Sequence, residues 1–156
     1  MASAFQRALI TTERSRHVAA PREKVFQALT TIEGLAAWWT TKVDGDAGPD
    51  GVIDFTFGGD FNPDTKVTEF DSPAKIGWEC VGGVEQWADN RFQFELAAQD
   101  GGTHLRFRQE YANELGDDDY GVYNYNWGYY LWRACACFAP PAKASRFRPP
   151  QASARE

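Results

Sequence analysis

A chain of 156 residues, 43% hydrophobic and 24% charged, is long enough for one core and too short for two, and its composition is that of a globular protein rather than a disordered one. The formal net charge of −6 argues against a nucleic-acid backbone or an anionic membrane as the main partner, because both need clustered Lys and Arg. Six Trp, six Tyr and eleven Phe exceed what a small core needs for volume, and flat side chains in such numbers line small-molecule cavities as well as fill cores.

The N-terminus, MASAFQRALITTERSR, lacks the apolar centre of a signal peptide, and no run approaches the roughly eighteen apolar residues of a membrane span. A cytoplasmic protein without membrane insertion is the expectation. Cys80, Cys135 and Cys137 show no metal spacing, and their odd number suits a reducing compartment better than a disulfide framework.

Residues 5–18 mix Leu9, Ile10 and Val18 with Thr and Arg, which predicts a strand exposed on one face. It stops at Ala19-Ala20-Pro21. Proline favours the first turn of a helix, and Val25, Phe26, Leu29 and Ile32 follow at helical spacing, so a helix is predicted over 21–31. A second, Leu35 to Trp39, ends in the pair Trp38-Trp39. Of these two rings, one is expected to pack and the other to face a cavity.

Beyond residue 40 the apolar period changes from 3.6 to 2. Ile53, Phe55 and Phe57 alternate with Asp54 and Thr56; Ile76, Trp78 and Cys80 with Lys75 and Glu79; Phe92, Phe94 and Leu96 with Arg91, Gln93 and Glu95. Leu105, Phe107, Gln109 and Tyr111 alternate with Arg106, Arg108 and Glu110, and Asp100-Gly101-Gly102 supplies a hairpin turn. This is an antiparallel meander with one wet face and one aromatic face. Tyr120, Tyr123, Trp127, Tyr130, Leu131 and Ala134 then fall on one side of a helix starting near Asp118 or Asp119, able to cover the aromatic face. The order gives an α+β helix-grip fold: a curved antiparallel sheet wrapped around a long C-terminal helix, with two short helices after the first strand.

The stretches APREKVFQALTTIEGLAAWWT (20–40), VTEFDSPAKIGWEC (67–80) and NWGYYL (126–131) resemble the SRPBCC superfamily of START, Bet v 1-like and polyketide cyclase proteins. Within it the chain looks most like the branch of homologues of the activator of the heat-shock protein 90 ATPase. The resemblance spans about residues 5–131. It implies a ligand pocket between sheet and C-terminal helix but no single chemistry, since such folds host carriers, enzymes and chaperone cofactors.

From Trp132 the composition turns to Ala, Pro, Arg and Ser without an apolar period. The domain is assigned to residues 1–138 and a disordered tail to 139–156. A shift of reading frame near residue 132 is the sharper alternative, to be decided by translating the other two frames.

No catalytic group stands out. His17 and His104 flank inward positions and are expected to face solvent, Asp54, Glu79, Glu95 and Glu110 alternate outward, and Cys80 is a buried apolar filler. No Ser-His-acid grouping, phosphate loop or metal cluster is legible, so no metal or cofactor is expected.

Three functions stay open. The first is binding of a hydrophobic or aromatic small molecule, with Trp39, Phe55, Trp78, Phe92, Phe94, Phe107 and Trp127 as walls. In that reading Gln109, with Tyr111 or Tyr130, supplies the polar groups. The second is a cyclase or dehydratase in the same cavity, with Gln109 and a Tyr polarising a carbonyl. The third, implied by the resemblance alone, is a protein partner whose ATPase is stimulated. Gln109, the one polar residue in its inward series, is expected to meet a buried Tyr or Trp group, a water or a ligand atom.

Overall fold

The computed structural model describes residues 10–138. Seven strands form one antiparallel sheet: β1 (Ile10–Val18), β2 (Lys42–Gly45), β3 (Val52–Thr56), β4 (Asp64–Asp71), β5 (Lys75–Gly82), β6 (Arg91–Gln99) and β7 (Gly102–Tyr111). Their spatial order is β1-β7-β6-β5-β4-β3-β2, so the first strand lies beside the last. Three helices complete the fold: α1 (Arg22–Thr30), α2 (Ile32–Trp38) and the long α3 (Asp117–Cys137).

This is the predicted helix-grip arrangement. Residues 5–9 of the expected first strand and the expected tail 139–156 lie outside the described residues. The last helix starts at Asp117, one residue earlier than read, and its first turn carries Asp117, Asp118 and Asp119, which complement the helix dipole.

The period-2 reading places the core. Ile53, Phe55, Ile76, Trp78, Phe92, Phe94, Leu105 and Phe107 are all buried on one face, while Asp54, Arg91 and Arg106 on the same strands are exposed. Antiparallel register sets Phe94 opposite Ile76 and Phe107, so inward rings meet inward neighbours.

Two strands carry too little alternation to be read. β2 is four residues with Val43 as its single buried member. In β4 the register shifts between Val67 and Glu69, a bulge that breaks the alternation and turns Phe70 to pack edge-on against Phe26 of α1, centroids 5.1 Å apart.

The two short helices are separated by Thr31, whose backbone is extended. Its Oγ1 accepts the Gly34 N–H at 3.0 Å and so caps α2. Position 34 requires glycine, because a Cβ there would stand 2.6 Å from Ala28 Cα. This close approach sets the angle at which α2 delivers Trp38 and Trp39 to the core.

Candidate ligand-binding site

α3 lies along the aromatic face with Trp127 at its centre. The Trp127 ring contacts Phe107 (centroids 4.1 Å), Trp39 (4.9 Å) and Phe92 (6.1 Å). Its Nε1 donates to Gln109 Oε1 at 2.6 Å. Because an indole offers only a donor, the contact fixes which end of the amide faces it. Gln109 thus has the Trp partner expected for it. The remaining Nε2 of Gln109 has no hydrogen-bond partner among the described atoms, a burial cost of about 1–3 kcal/mol.

Most of the expected cavity walls fill space instead of lining it. Phe55, Trp78, Phe92, Phe94 and Phe107 pack on one another and on Trp39 and Trp127, with centroids 4.1 Å apart for Phe107–Trp127, 4.3 Å for Trp39–Phe55 and 4.9 Å for Trp78–Phe94. Tyr111 lies toward β1, where its hydroxyl meets Thr12 Oγ1 at 3.1 Å; burial pushes its pKa up to about 12.

An open pocket of about 310 Å³ remains at one flank of α3. Of the sequence-derived residues it includes Trp39, Trp127 and Tyr130, and it adds Phe57, Phe61, Trp87, Val122, Tyr123 and Asn126. Trp38, the neighbour of Trp39, is packing: its Nε1 donates to Ala28 O at 3.1 Å and its ring meets Phe94 edge-on.

Local backbone chemistry builds the outer wall. Asn62 Oδ1 accepts the N–H groups of Phe57 (3.1 Å) and Gly58 (3.2 Å), and Asn62 Nδ2 donates to Gly59 O (3.0 Å). Gly58 and Gly59 take positive φ, which lets this tight loop turn Phe61 inward. Phe61 meets Trp87 at 4.8 Å and 87°. Trp87 closes a single 3-10 turn, Glu85–Trp87, and its indole lies parallel to that of Trp127 with centroids 6.4 Å apart.

The lip is polar and acidic. The Tyr123 hydroxyl donates to Gln86 Oε1, and Gln86 Nε2 donates to Asp119 Oδ2 at 2.9 Å. Burial raises the Tyr123 pKa above the usual phenol value, the Asp119 charge adds to the rise, and the nearby Trp87 indole N–H opposes it. Trp87 Nε1 itself makes no hydrogen bond of acceptable geometry.

His17 is exposed and His104 half-buried, directly opposite each other on β1 and β7 and away from this pocket. Cys80 is fully buried, and burial raises its thiol pKa. A larger hollow of about 470 Å³ lies on the outer sheet face, where Arg108 pairs with Glu110 at 3.2 Å and with Glu13 at 3.6 Å; it is a charged, solvated surface. Among the described residues no group of three or more His, Cys, Asp or Glu is placed to hold a metal, and no helix is long and apolar enough to cross a membrane.

Phe61 and Trp87 escape a reading by periodicity because both stand in irregular segments. Only their size and the flanking glycines could have flagged them.

The family model described as Activator of Hsp90 ATPase homolog 1-like protein matches residues 19–134. No curated protein matches the sequence. Among solved structures, the chain is similar to the Aha1 dimer from Colwellia psychrerythraea, with 30% identity, TM-score 0.75, and coverage of 83% of this chain and 96% of that one. Protein MLL2253 from Mesorhizobium loti shares 20% identity over 81% of this chain and 95% of its own, with TM-score 0.70. CalU16 from Micromonospora echinospora shares 17% identity over 88% of each chain, with TM-score 0.64. The last two likenesses concern the fold alone.

Proposed function

Because the chain belongs to the Activator of Hsp90 ATPase homolog 1-like protein family, a group whose fold implies no single chemistry, we propose that it binds a small hydrophobic or aromatic molecule in the pocket beside α3. The observation that carries this reading is the pocket itself. Four separate segments converge on about 310 Å³ of open space, and apart from Val122 and Asn126 every lining residue is aromatic. That volume is at the lower end for ligand sites, which suits a ligand of one or two rings rather than a full-length lipid.

Binding is favoured over catalysis by the lining. It contains no carboxylate, imidazole, amine or thiol, and its ionisable groups are the phenols of Tyr123 and Tyr130. A cyclase-type reaction needs a group near neutral pKa to move protons, and burial moves the Tyr123 phenol away from that range.

Native mass spectrometry of freshly purified protein, followed by thermal-shift and tryptophan-fluorescence titration against lipid and aromatic libraries, tests the reading. A bound species or a saturable change in Trp emission is expected. No bound species and no shift across both libraries would overturn it.

A second reading, contact with a protein partner, has its own observation. Val122, Tyr125, Tyr129 and Trp132 are 55%, 73%, 50% and 59% exposed along the outer side of α3, an apolar stripe of the kind that marks interaction surfaces. The similar Colwellia protein is a dimer by its description. Light scattering of the wild type and of Trp132→Glu tests whether this stripe pairs two copies; a concentration-independent monomer mass in both would remove the dimer form of this reading.

A further inference from the structure

We propose that the molecule selected by this pocket is a small lipophilic cation, an alkylated ammonium joined to an apolar body. The proposal deepens the small-molecule reading above and rests on it.

The first ground is what the walls present. Trp87, Trp127 and Trp39 line it with their indoles, each at most 3% exposed before a ligand enters. Phe57, Phe61 and Tyr130 close the remaining sides, Phe57 lying at 60° to Phe61 and 66° to Tyr130 and Phe61 at 87° to Trp87. An aromatic face carries negative potential, and indole is the strongest of the common rings in attracting a cation within about 6 Å of its centroid. A purely neutral ligand would use only the apolar area of these rings.

Charge around the pocket is the second ground, and it is independent of the rings. The segments that build the walls carry Asp60 in the loop before Phe61, Glu85 in the turn before Trp87, and Asp117, Asp118 and Asp119 at the start of α3. Asp119 is held at the lip through Gln86 and Tyr123. No Lys or Arg is among the lining residues. The basic side chain of α3, Arg133, stands over the outer Tyr129 ring at 6.0 Å, one turn beyond Tyr130.

An anionic ligand such as a fatty acid would meet the Asp119 carboxylate at the lip and the electron-rich rings, and would find no cation among the lining residues to pair with. A hydrated inorganic cation would have to give up its water for a site almost without oxygen ligands. An alkylated ammonium is weakly hydrated, matches the aromatic lining with its methyl groups, and keeps a charge that both rings and carboxylates favour. The apolar body accounts for the remaining volume.

The test compares benzyltrimethylammonium with neopentylbenzene, which replaces the charged nitrogen by carbon at nearly the same shape. Binding is read by tryptophan quenching and calorimetry at low salt. The cation should bind at least about tenfold more tightly than the isostere, a difference of about 1.4 kcal/mol. Asp119→Asn, an exposed substitution that keeps an acceptor for Gln86, should weaken the cation several-fold and leave the isostere unchanged. Trp87→Phe should weaken the cation more than the isostere, with melting followed to confirm folding. Equal or tighter binding of neopentylbenzene would overturn the charge preference while leaving the small-molecule reading intact. Binding of neither compound would overturn the charge preference, and the library titration described above would then decide the small-molecule reading separately.

Discussion

The 2.6 Å hydrogen bond from Trp127 Nε1 to Gln109 Oε1 ties the middle of α3 to β7 within the buried core. Both residues are at most 2% exposed, so neither can exchange this contact for water. Trp127→Phe keeps most of the ring volume but strands the Gln109 carbonyl. Chemical denaturation should show a loss of about 1–3 kcal/mol. Gln109→Leu in the Trp127→Phe background should recover part of it, because removing both polar partners leaves nothing unsatisfied. A double variant no more stable than Trp127→Phe alone would show that the hydrogen bond carries no net weight.

Asp54 and Asp64 stand directly opposite each other on β3 and β4. Burial, the hydrogen bond to Asp54 and the Asp54 charge all raise the Asp64 pKa. A carboxyl whose folded pKa lies above its unfolded value contributes stability below the unfolded pKa and loses it as pH rises through the folded one. At neutral pH the pair is therefore a cost, small because solvent screens it. Asp64→Asn should raise stability at pH 7 by a few tenths of a kcal/mol, and the gain should vanish below about pH 4. Thermal melts of the two proteins across that range check the sign.

The three cysteines differ in access. Cys80 is fully buried, with its pKa raised first by burial and further by Asp64 and Asp89; Cys135 is half-buried and likewise raised by burial; Cys137 is exposed. Thiolate is the reactive form. A disulfide reagent at pH 8 should label Cys137 first, Cys135 slowly, and Cys80 only with global unfolding. Labelling of Cys80 at the rate of Cys137 in native protein would contradict the packing of β5.

Gly83 has φ +79°, and a Cβ there would lie 1.9 Å from Asn62 O. Gly101 has φ +75° with nothing near its Cβ position. Gly101→Ala should cost only the left-handed penalty of about 1–2 kcal/mol. Gly83→Ala must also push back the Asn62 loop that presents Phe61, so it should cost more and open the pocket. Melting curves measure the first effect, and acrylamide quenching of the tryptophans the second. Equal costs for the two substitutions would mean that the loop yields freely.

The strands and α3 were legible because each has one buried side. Phe92, Phe94 and Phe107 alternate cleanly, and Tyr123, Trp127 and Leu131 recur at helical spacing. The site was less legible for a physical reason. Alternation says which side chains point inward but not whether another side chain already fills the space ahead of them. Phe55 and Trp78 point inward and meet Trp39; Trp39 and Trp127 point inward and reach open space as well. The outer wall depends on Phe61 and Trp87, placed by a glycine-rich loop and one 3-10 turn, neither of which has a period to detect. The outward aromatics Tyr125, Tyr129 and Trp132 further blur the two sides of α3.

The neighbouring positions of β1 and β7 also bear on how quickly the chain finds its fold. Thr12 and Tyr111 touch although 99 positions separate them, so their meeting closes a loop that holds all of β2 to β6. β6 and β7, joined by the turn at Asp100-Gly101, need only a local closure. Folding should nucleate at that hairpin and seal the β1 edge late, with a high relative contact order and refolding in the millisecond-to-second range typical of such topologies. Destabilising β1 should then speed unfolding and hardly slow refolding, whereas damage to the β6–β7 hairpin should slow refolding itself.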